Sequence, residues 1–382
     1  MKTEKVLLLE KAYFSCFYLE EGLNISQNWL THCCIIHSEG KKGSVRIGNF
    51  DGNVFPIELV LNARRKLIAD NQTECDTPCK GCHFLEKKVW PKNKYFFRSL
   101  TINDWDHCNL KCDYCYTQIP EWQLHEDRTH ELVPLIEDMV KNEYLAPDAV
   151  IVWGGGEVTV YRDFEPVAEL LMQNNFKQYV NTNAVLYSKA IEQGLMNGKI
   201  DVQVSVDAGT RETYKNVKGK DAFDIVWRNI SKYSAFGQVT AKYIAKKNNS
   251  GVPDIVGFLS HCQNSGVYCV CVAPELSEYS HNAISEETLW NVALMIYLAN
   301  QGQIPINEDL GTFPEDYAEK IKFNLSAFSG IQFYDRSLPN GCGVPHQPTG
   351  TANRQGPLKV RLERKVLSHL RAIELKLRKL FR

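Results

Sequence analysis

Residues 97 to 272 predict an α/β chain built on a parallel sheet. Six short runs rich in β-branched and aromatic residues, 97–102, 149–153, 178–182, 202–206, 239–244 and 267–272, read as strands. Helix-like segments stand between them at 131–141, 164–172, 188–196, 223–233 and 253–262. Strands that alternate with helices imply parallel pairing and right-handed crossovers. Chemistry in such folds gathers on the loops after the strand C-termini, and the polar motifs of this stretch fall there.

The flanking residues divide the chain further. Residues 1–95 lack the alternation and carry Cys16, Cys33, Cys34, Cys75, Cys79 and Cys82. A glycine-rich, strand-like piece at 43–52 is followed by a predicted helix over 56–69, with Pro56 at its start and Ile57, Val60, Leu61 and Ile68 on one apolar face. The expected organisation is a cysteine-rich region over 1–95, a βα core over 96–280, a helical extension over 281–338 that covers the open side of the core, and a last part over 339–382. In that last part, 339–356 is rich in Gly, Pro, Asn and Thr and reads as a linker. Residues 358–382 follow as a basic amphipathic helix whose Val366, Leu370, Ile373, Leu377 and Leu380 step at heptad spacing. Its expected dock is the protein itself, with an acidic partner or a membrane surface as the alternatives.

Composition limits the function classes. A net charge of −1 over 382 residues gives no whole-chain argument for nucleic acid. No apolar run approaches the length of a membrane span, and the N-terminal apolar run is too short for a signal peptide, so the expected location is cytoplasmic. Thirteen cysteines in a large chain of this kind point to metal rather than disulfides.

Six of those cysteines form two C-x3-C-x2-C groups. Cys108, Cys112 and Cys115 follow the first predicted strand; three thiols on one short loop can hold three irons of a cubane cluster and leave the fourth open. An open position on a metal marks catalysis more than structure. A zinc knuckle, or cysteines buried for packing, is the competing reading. Cys75, Cys79 and Cys82 form the second group, with Cys34 or Cys33 as the expected fourth ligand and Cys16 or Cys342 behind them. A zinc site completed by Cys34 or His83 is the alternative there. Cys262, Cys269 and Cys271 read as packing residues. After the second strand, Gly155 and Gly156 would let backbone approach a ligand, and Glu157 could accept hydrogen bonds from an ammonium group.

Taken together these motifs resemble the radical S-adenosylmethionine (radical SAM) enzymes. The cysteine loop, with the aromatic Tyr114 before its third cysteine, is similar to that family's cluster loop. Gly155, Gly156 and Glu157 resemble its GGE motif, although Val158 stands where many relatives have proline. Asn183 lies in a stretch similar to its TNG motif, with Ala184 in place of glycine. Ser205 and Asp207 open a stretch resembling S-hydrophobic-D-A-x-T-x-E-T-Y. The resemblance implies a partial (βα)6 TIM-type barrel, a 4Fe-4S cluster and S-adenosylmethionine, with Tyr114, Gly155, Gly156, Glu157, Asn183, Ser205 and Asp207 around the cofactor; Lys242 and Asn248 are further candidates. It also implies reductive cleavage of the cofactor to a 5'-deoxyadenosyl radical that takes a hydrogen atom from a substrate. That substrate could be a peptide, a sugar derivative or another small molecule, and flavodoxin or ferredoxin the reductant. The order of cysteine, glycine turn, helix and cysteine group in 1–95 resembles half of the auxiliary-cluster region called SPASM, placed here before the barrel. The rival class is a zinc-binding module that contacts nucleic acid or a partner protein, against which the near-neutral charge and the βα alternation argue.

Overall fold

The structure, a computed structural model, describes residues 11–26, 29–33, 46–49, 52–73, 76–82, 84–91, 96–115, 131–275, 278, 283–308 and 315–328. Cys34, Cys75, His83, Cys342 and the expected linker and basic helix of 339–382 lie outside the described residues.

The N-terminal part runs β1 (Tyr13–Ser15), α1 (Phe17–Glu21), β2 (Gly22–Ser26), β3 (Trp29–Thr31), β4 (Arg46–Asn49), α2 (Ile57–Asp70) and β5 (Glu86–Lys88). The core follows with β6 (Phe97–Asn103), α3 (Leu132–Lys141), β7 (Leu145–Trp153), α4 (Phe164–Gln173), β8 (Lys177–Thr182), α5 (Lys189–Met196) and β9 (Ile200–Ser205). It continues through α6 (Arg211–Lys218), α7 (Phe223–Ser234), β10 (Val239–Ala245), α8 (Val252–Asn264) and β11 (Cys269–Pro274). Beyond it come α9 (Glu286–Gln301), β12 (Ile306–Glu308) and α10 (Glu315–Ala327).

Strands β6 to β11 lie side by side in sequence order and pair in parallel, as the alternation predicts, in the open, partial (βα)6 barrel that the family resemblance implies. Period decides the faces. Val239, Ala241, Tyr243 and Ala245 of β10 are all buried, every second residue of the strand. In α4, Phe164, Val167, Ala168 and Leu171 fall at helical spacing and form its buried stripe. Ser188 caps α5 and Thr210 caps α6 through side-chain oxygens, and Gly219, in left-handed conformation, ends α6.

Three details differ from the sequence expectation. β7 begins at Leu145 rather than 149, because Leu145 pairs with Phe97 and the register then shifts before Val150 meets Ser99. Pro147 and Asp148 interrupt the β-branched run and hide that start. α6 is short and mostly polar, burying only Tyr214, Val217 and Lys218, so it carries little apolar period. The extension is not all helix: α9 leads into β12, which pairs in parallel with β11 and lengthens the sheet. No helix among the described residues is long and apolar enough to cross a membrane.

The N-terminal part joins the same sheet at its other edge. β2 pairs in parallel with β6, and β3 and β4 add on antiparallel. Among the described residues only β1 and β5 stand apart, as a two-stranded ribbon.

One buried carboxylate ties the upper loops together. Asp254, in the first turn of α8, accepts hydrogen bonds from the backbone N–H of Gly209 (2.8 Å) and Thr210 (2.9 Å) and from the Tyr243 hydroxyl (2.6 Å). A Cβ at Gly209 would lie 1.8 Å from the Asp254 carbonyl oxygen, so only glycine permits this approach. Asp254→Ala is expected to lower stability in urea by about 2 kcal/mol or more, since the backbone N–H groups of Gly209 and Thr210 lose their acceptor while the Tyr243 hydroxyl keeps the Asn249 carbonyl. A loss below about 1 kcal/mol would mean that the β9 loop is held by something else.

Candidate active site

The loop after β6 carries Cys108, Cys112 and Cys115, and two neighbours fix its backbone. From one side the glycine turn after β7 donates to it: Gly156 N–H to the Trp105 carbonyl (2.9 Å) and Glu157 N–H to the His107 carbonyl (2.8 Å). A Cβ at Gly155 would come 2.5 Å from the Trp105 oxygen and one at Gly156 2.2 Å from the His107 oxygen. The close approach these glycines allow is therefore to the cysteine loop itself. From the other side the end of α6 accepts from it, Lys111 N–H to the Lys218 carbonyl (3.1 Å) and Asp113 N–H to the Val217 carbonyl (3.0 Å).

Glu157 is buried and joins two strand ends. Its Oε1 accepts from Thr159 N–H (3.0 Å), the Thr159 hydroxyl (2.6 Å) and the Thr182 hydroxyl (2.6 Å). Oε2 accepts from Asn183 N–H (2.7 Å). Asn183 reaches onward, its side-chain amide donating to Asn109 Oδ1 (2.7 Å) and toward Cys108 Sγ (3.6 Å). Ala184, the residue standing for glycine, has φ 54 and carries the backbone strain that a glycine would lack.

Asp207 and Tyr114 meet in a second polar knot. The Asp207 carboxylate accepts from Lys218 Nζ, from the Tyr114 hydroxyl and from Ile244 N–H (2.6 Å). Side-chain exposures of 1% for Lys218 and 0% for Asp207 make this a buried ion pair. Lys218 also donates to the Tyr114 hydroxyl (2.9 Å), and the Lys218 and Lys246 ammonium groups stand 5.4 and 5.3 Å from the Tyr114 ring centroid. Asp113 is held by Lys246 (2.9 Å) and Asn248 (3.0 Å). Ser205 ends β9 half-buried, in register with Lys242.

Sequence reasoning missed Lys218, Lys246, Asp113, Asp254 and Asn249, whose side-chain amide donates to the Asp207 carbonyl (2.9 Å). Only Lys218 left a local signal, as a basic residue in the last turn before the αL Gly219.

The donor set suits a thiophilic metal. Burial pushes the Cys112 thiol up to about 11 against the pull of the Lys218 ammonium, and burial also raises Cys108. Thiols in this setting ionise when a metal cation replaces the proton. Among the described residues the buried Tyr214 hydroxyl has no hydrogen-bond partner; its pKa is raised by burial and then by Cys112, Asp207, Cys108 and Glu157. Among the described residues no three His, Cys, Asp or Glu side chains already converge tightly enough to grip an ion. In the N-terminal part Cys79 and Cys82 are half-buried in one turn and Cys16 is buried; Cys262 and Cys271 are buried and Cys269 half-buried in the core.

Residues 102–245, which span the thiol loop, the glycine turn and most of the parallel βα sheet, match the sequence model of the Radical SAM superfamily. That superfamily uses a 4Fe-4S cluster and S-adenosylmethionine. The chain is 31% identical over 157 residues to the Fe-coproporphyrin III synthase of Methanosarcina barkeri, covering 40% of this chain and 38% of the relative. It is 27% identical over 161 residues to a probable GTP 3',8-cyclase of Saccharolobus islandicus, covering 42% and 51%. Among solved structures, Streptococcus suis SuiB bound to precursor peptide SuiA overlays with TM-score 0.45 at 18% identity, over 66% of this chain and 54% of that one. The chain thus spans 38% to 51% of the length of these curated relatives.

Lys218→Met is expected to cost about 3–5 kcal/mol in urea denaturation, because it leaves Asp207 buried and uncompensated. Adding Asp207→Asn should recover part of that loss. Burial lowers the Lys218 pKa, but Asp207 and Cys112 outweigh it and hold the ammonium above its usual range. The pair's stabilisation is therefore complete at neutral pH and is lost as pH rises through that raised value. A single variant as stable as the parent would show that the knot does not hold the loop.

Proposed function

We propose that this chain is a radical SAM enzyme in which Cys108, Cys112 and Cys115 ligate three irons of a 4Fe-4S cluster. The observation that carries this reading is the cysteine loop, fixed between the glycine turn and the end of α6, with Asn183, Glu157 and Tyr214 around it. When bound, the cluster and S-adenosylmethionine would supply one-electron cleavage to a 5'-deoxyadenosyl radical and hydrogen-atom abstraction.

The chain's own residues divide that task. Asn183 donates toward Cys108 sulfur and so moderates the negative charge of a thiolate there. Glu157 Oε1 already serves three donors, while Oε2 serves one and keeps capacity for the ammonium of the cofactor. Ser205 stands for a contact to the sugar or the methionine end. Asp207 and Tyr114 we carry forward as positioning groups, since their polar atoms are engaged by Lys218, by each other and by Ile244 N–H. Gly155 and Gly156 keep the turn close enough to hold the loop. A peptide, a sugar derivative or another small molecule remains the substrate class, a flavodoxin or ferredoxin the electron source, and a reducing cytoplasm the setting. Cys79 and Cys82, with Cys75 by sequence spacing, supply a second thiolate centre.

The test is release of 5'-deoxyadenosine from S-adenosylmethionine by the chemically reduced, anaerobically purified protein. Changing Cys108, Cys112 and Cys115 together to Ala should abolish it; release at the parent rate would end this reading. Glu157→Gln is expected to weaken cofactor binding about 10- to 100-fold, the loss of a hydrogen bond to a charged group, in a folded variant that keeps its iron. Unchanged affinity would remove Glu157 from the cofactor site.

A further inference from the structure

We propose that Cys16, Cys79 and Cys82 ligate one metal centre, either an iron-sulfur cluster or zinc, that staples the N-terminal ribbon to the end of α2. This deepens the second centre proposed above and does not depend on the barrel centre. Sequence spacing favours Cys34 as partner of the group, whereas strand register brings in Cys16.

The ribbon fixes the neighbourhood. Ser15 pairs with Glu86, so Cys16 leaves β1 where the chain from Cys82 enters β5. Two tight turns keep the group folded back there, with Leu85 N–H donating to the Cys82 carbonyl (3.0 Å) and Cys82 N–H to the Cys79 carbonyl (3.0 Å). Gln72, just past α2, clasps β1 from the other side: its side chain accepts from Phe14 N–H (2.8 Å) and donates to the Phe14 carbonyl (2.9 Å). Thr77 donates to Asn71 (2.7 Å) and ties the turn to the same helix end.

Packing agrees with register. Cys16, Leu19 and Leu67 make a small apolar cluster separate from the main core, and Tyr18, Ile68, Cys79 and Phe84 pack against it. A two-stranded ribbon over so small a core is marginal in water, and small modules of this kind are commonly held by a metal. Cys79 packs on the cluster that Cys16 belongs to, and Cys82 is tied to Cys79 through the turn. Soft thiolates gathered there suit iron-sulfur or zinc. Among the described residues these cysteines do not form a closed ligand sphere, so loading is expected to draw them together.

Position separates this centre from the barrel loop. Cys16 lies one short helix before Gly22, which pairs with Ser99 near the start of β6, whereas Cys108 follows the strand's other end. A seven-residue strand such as β6 rises about 20 Å. The N-terminal face of such sheets carries stability rather than chemistry.

The experiment uses the full-length chain with Cys108, Cys112 and Cys115 changed to Ala, so that remaining metal reports on this centre alone. Iron, acid-labile sulfide and zinc are counted after anaerobic purification. About four irons with sulfide, or about one zinc, are expected per chain. Adding Cys16→Ser should remove most of that metal. Serine retains an oxygen to cap α1, where Cys16 Sγ now accepts from Leu19 N–H (3.4 Å), so the loss would report ligation rather than capping. In the unmutated protein, stripping metal with a chelator should make Cys16, Cys79 and Cys82 reactive toward iodoacetamide together, which settles the matter if the variant fails to fold. Full metal in the Cys16→Ser chain, no metal in its parent, or Cys16 reactivity unmoved while that of Cys79 and Cys82 rises would each overturn the proposal.

Discussion

The upper face of this protein depends on one buried ion pair, Lys218 with Asp207. Neither charge is stable in a protein interior alone, and each holds the other in place. Lys218 ends α6, whose carbonyls receive the N–H groups of Lys111 and Asp113. Asp207 follows β9 with φ 56 and also accepts from Ile244 at the end of β10. Through Tyr114 the same pair reaches the cysteine loop. A single electrostatic contact thus couples two strand ends and one helix end to the three thiols, while the glycine turn closes the loop from the opposite side.

Much of the fold is legible in the sequence because its signals are local. β-branched and aromatic runs separated by 3.6-period segments give the six core strands and most of their crossovers, since the buried face of a strand such as β10 recurs at every second residue. What escapes is set by pairing partners. The start of β7 follows from Phe97 meeting Leu145, and no property of Ala146, Pro147 or Asp148 announces it. α6 escapes because its place is decided by two buried polar residues. β12 is three residues long and exists through its pairing with β11.

The candidate site divides in the same way. Cys108, Cys112 and Cys115 are close in sequence and carry their chemistry in their spacing. Glu157 and Asn183 are legible as polar residues after strands, yet their hydrogen bond joins positions 26 apart. Asp207 is legible as a polar residue after a strand, while its partner stays unnamed, because Lys218 looks like any basic residue in a last helical turn. Register likewise brings Cys16 to the end of the ribbon that follows Cys79 and Cys82, where sequence reasoning ranks it behind Cys33 and Cys34.

The central claim is an iron site that leaves one position for the amino group of S-adenosylmethionine. The most direct measurement is electron-nuclear double resonance of the reduced protein with cofactor labelled by nitrogen-15 at that amino group. A hyperfine coupling between the label and the cluster is expected, lost when Cys108, Cys112 and Cys115 are replaced. A reduced cluster with saturating labelled cofactor and no nitrogen-15 coupling would contradict it.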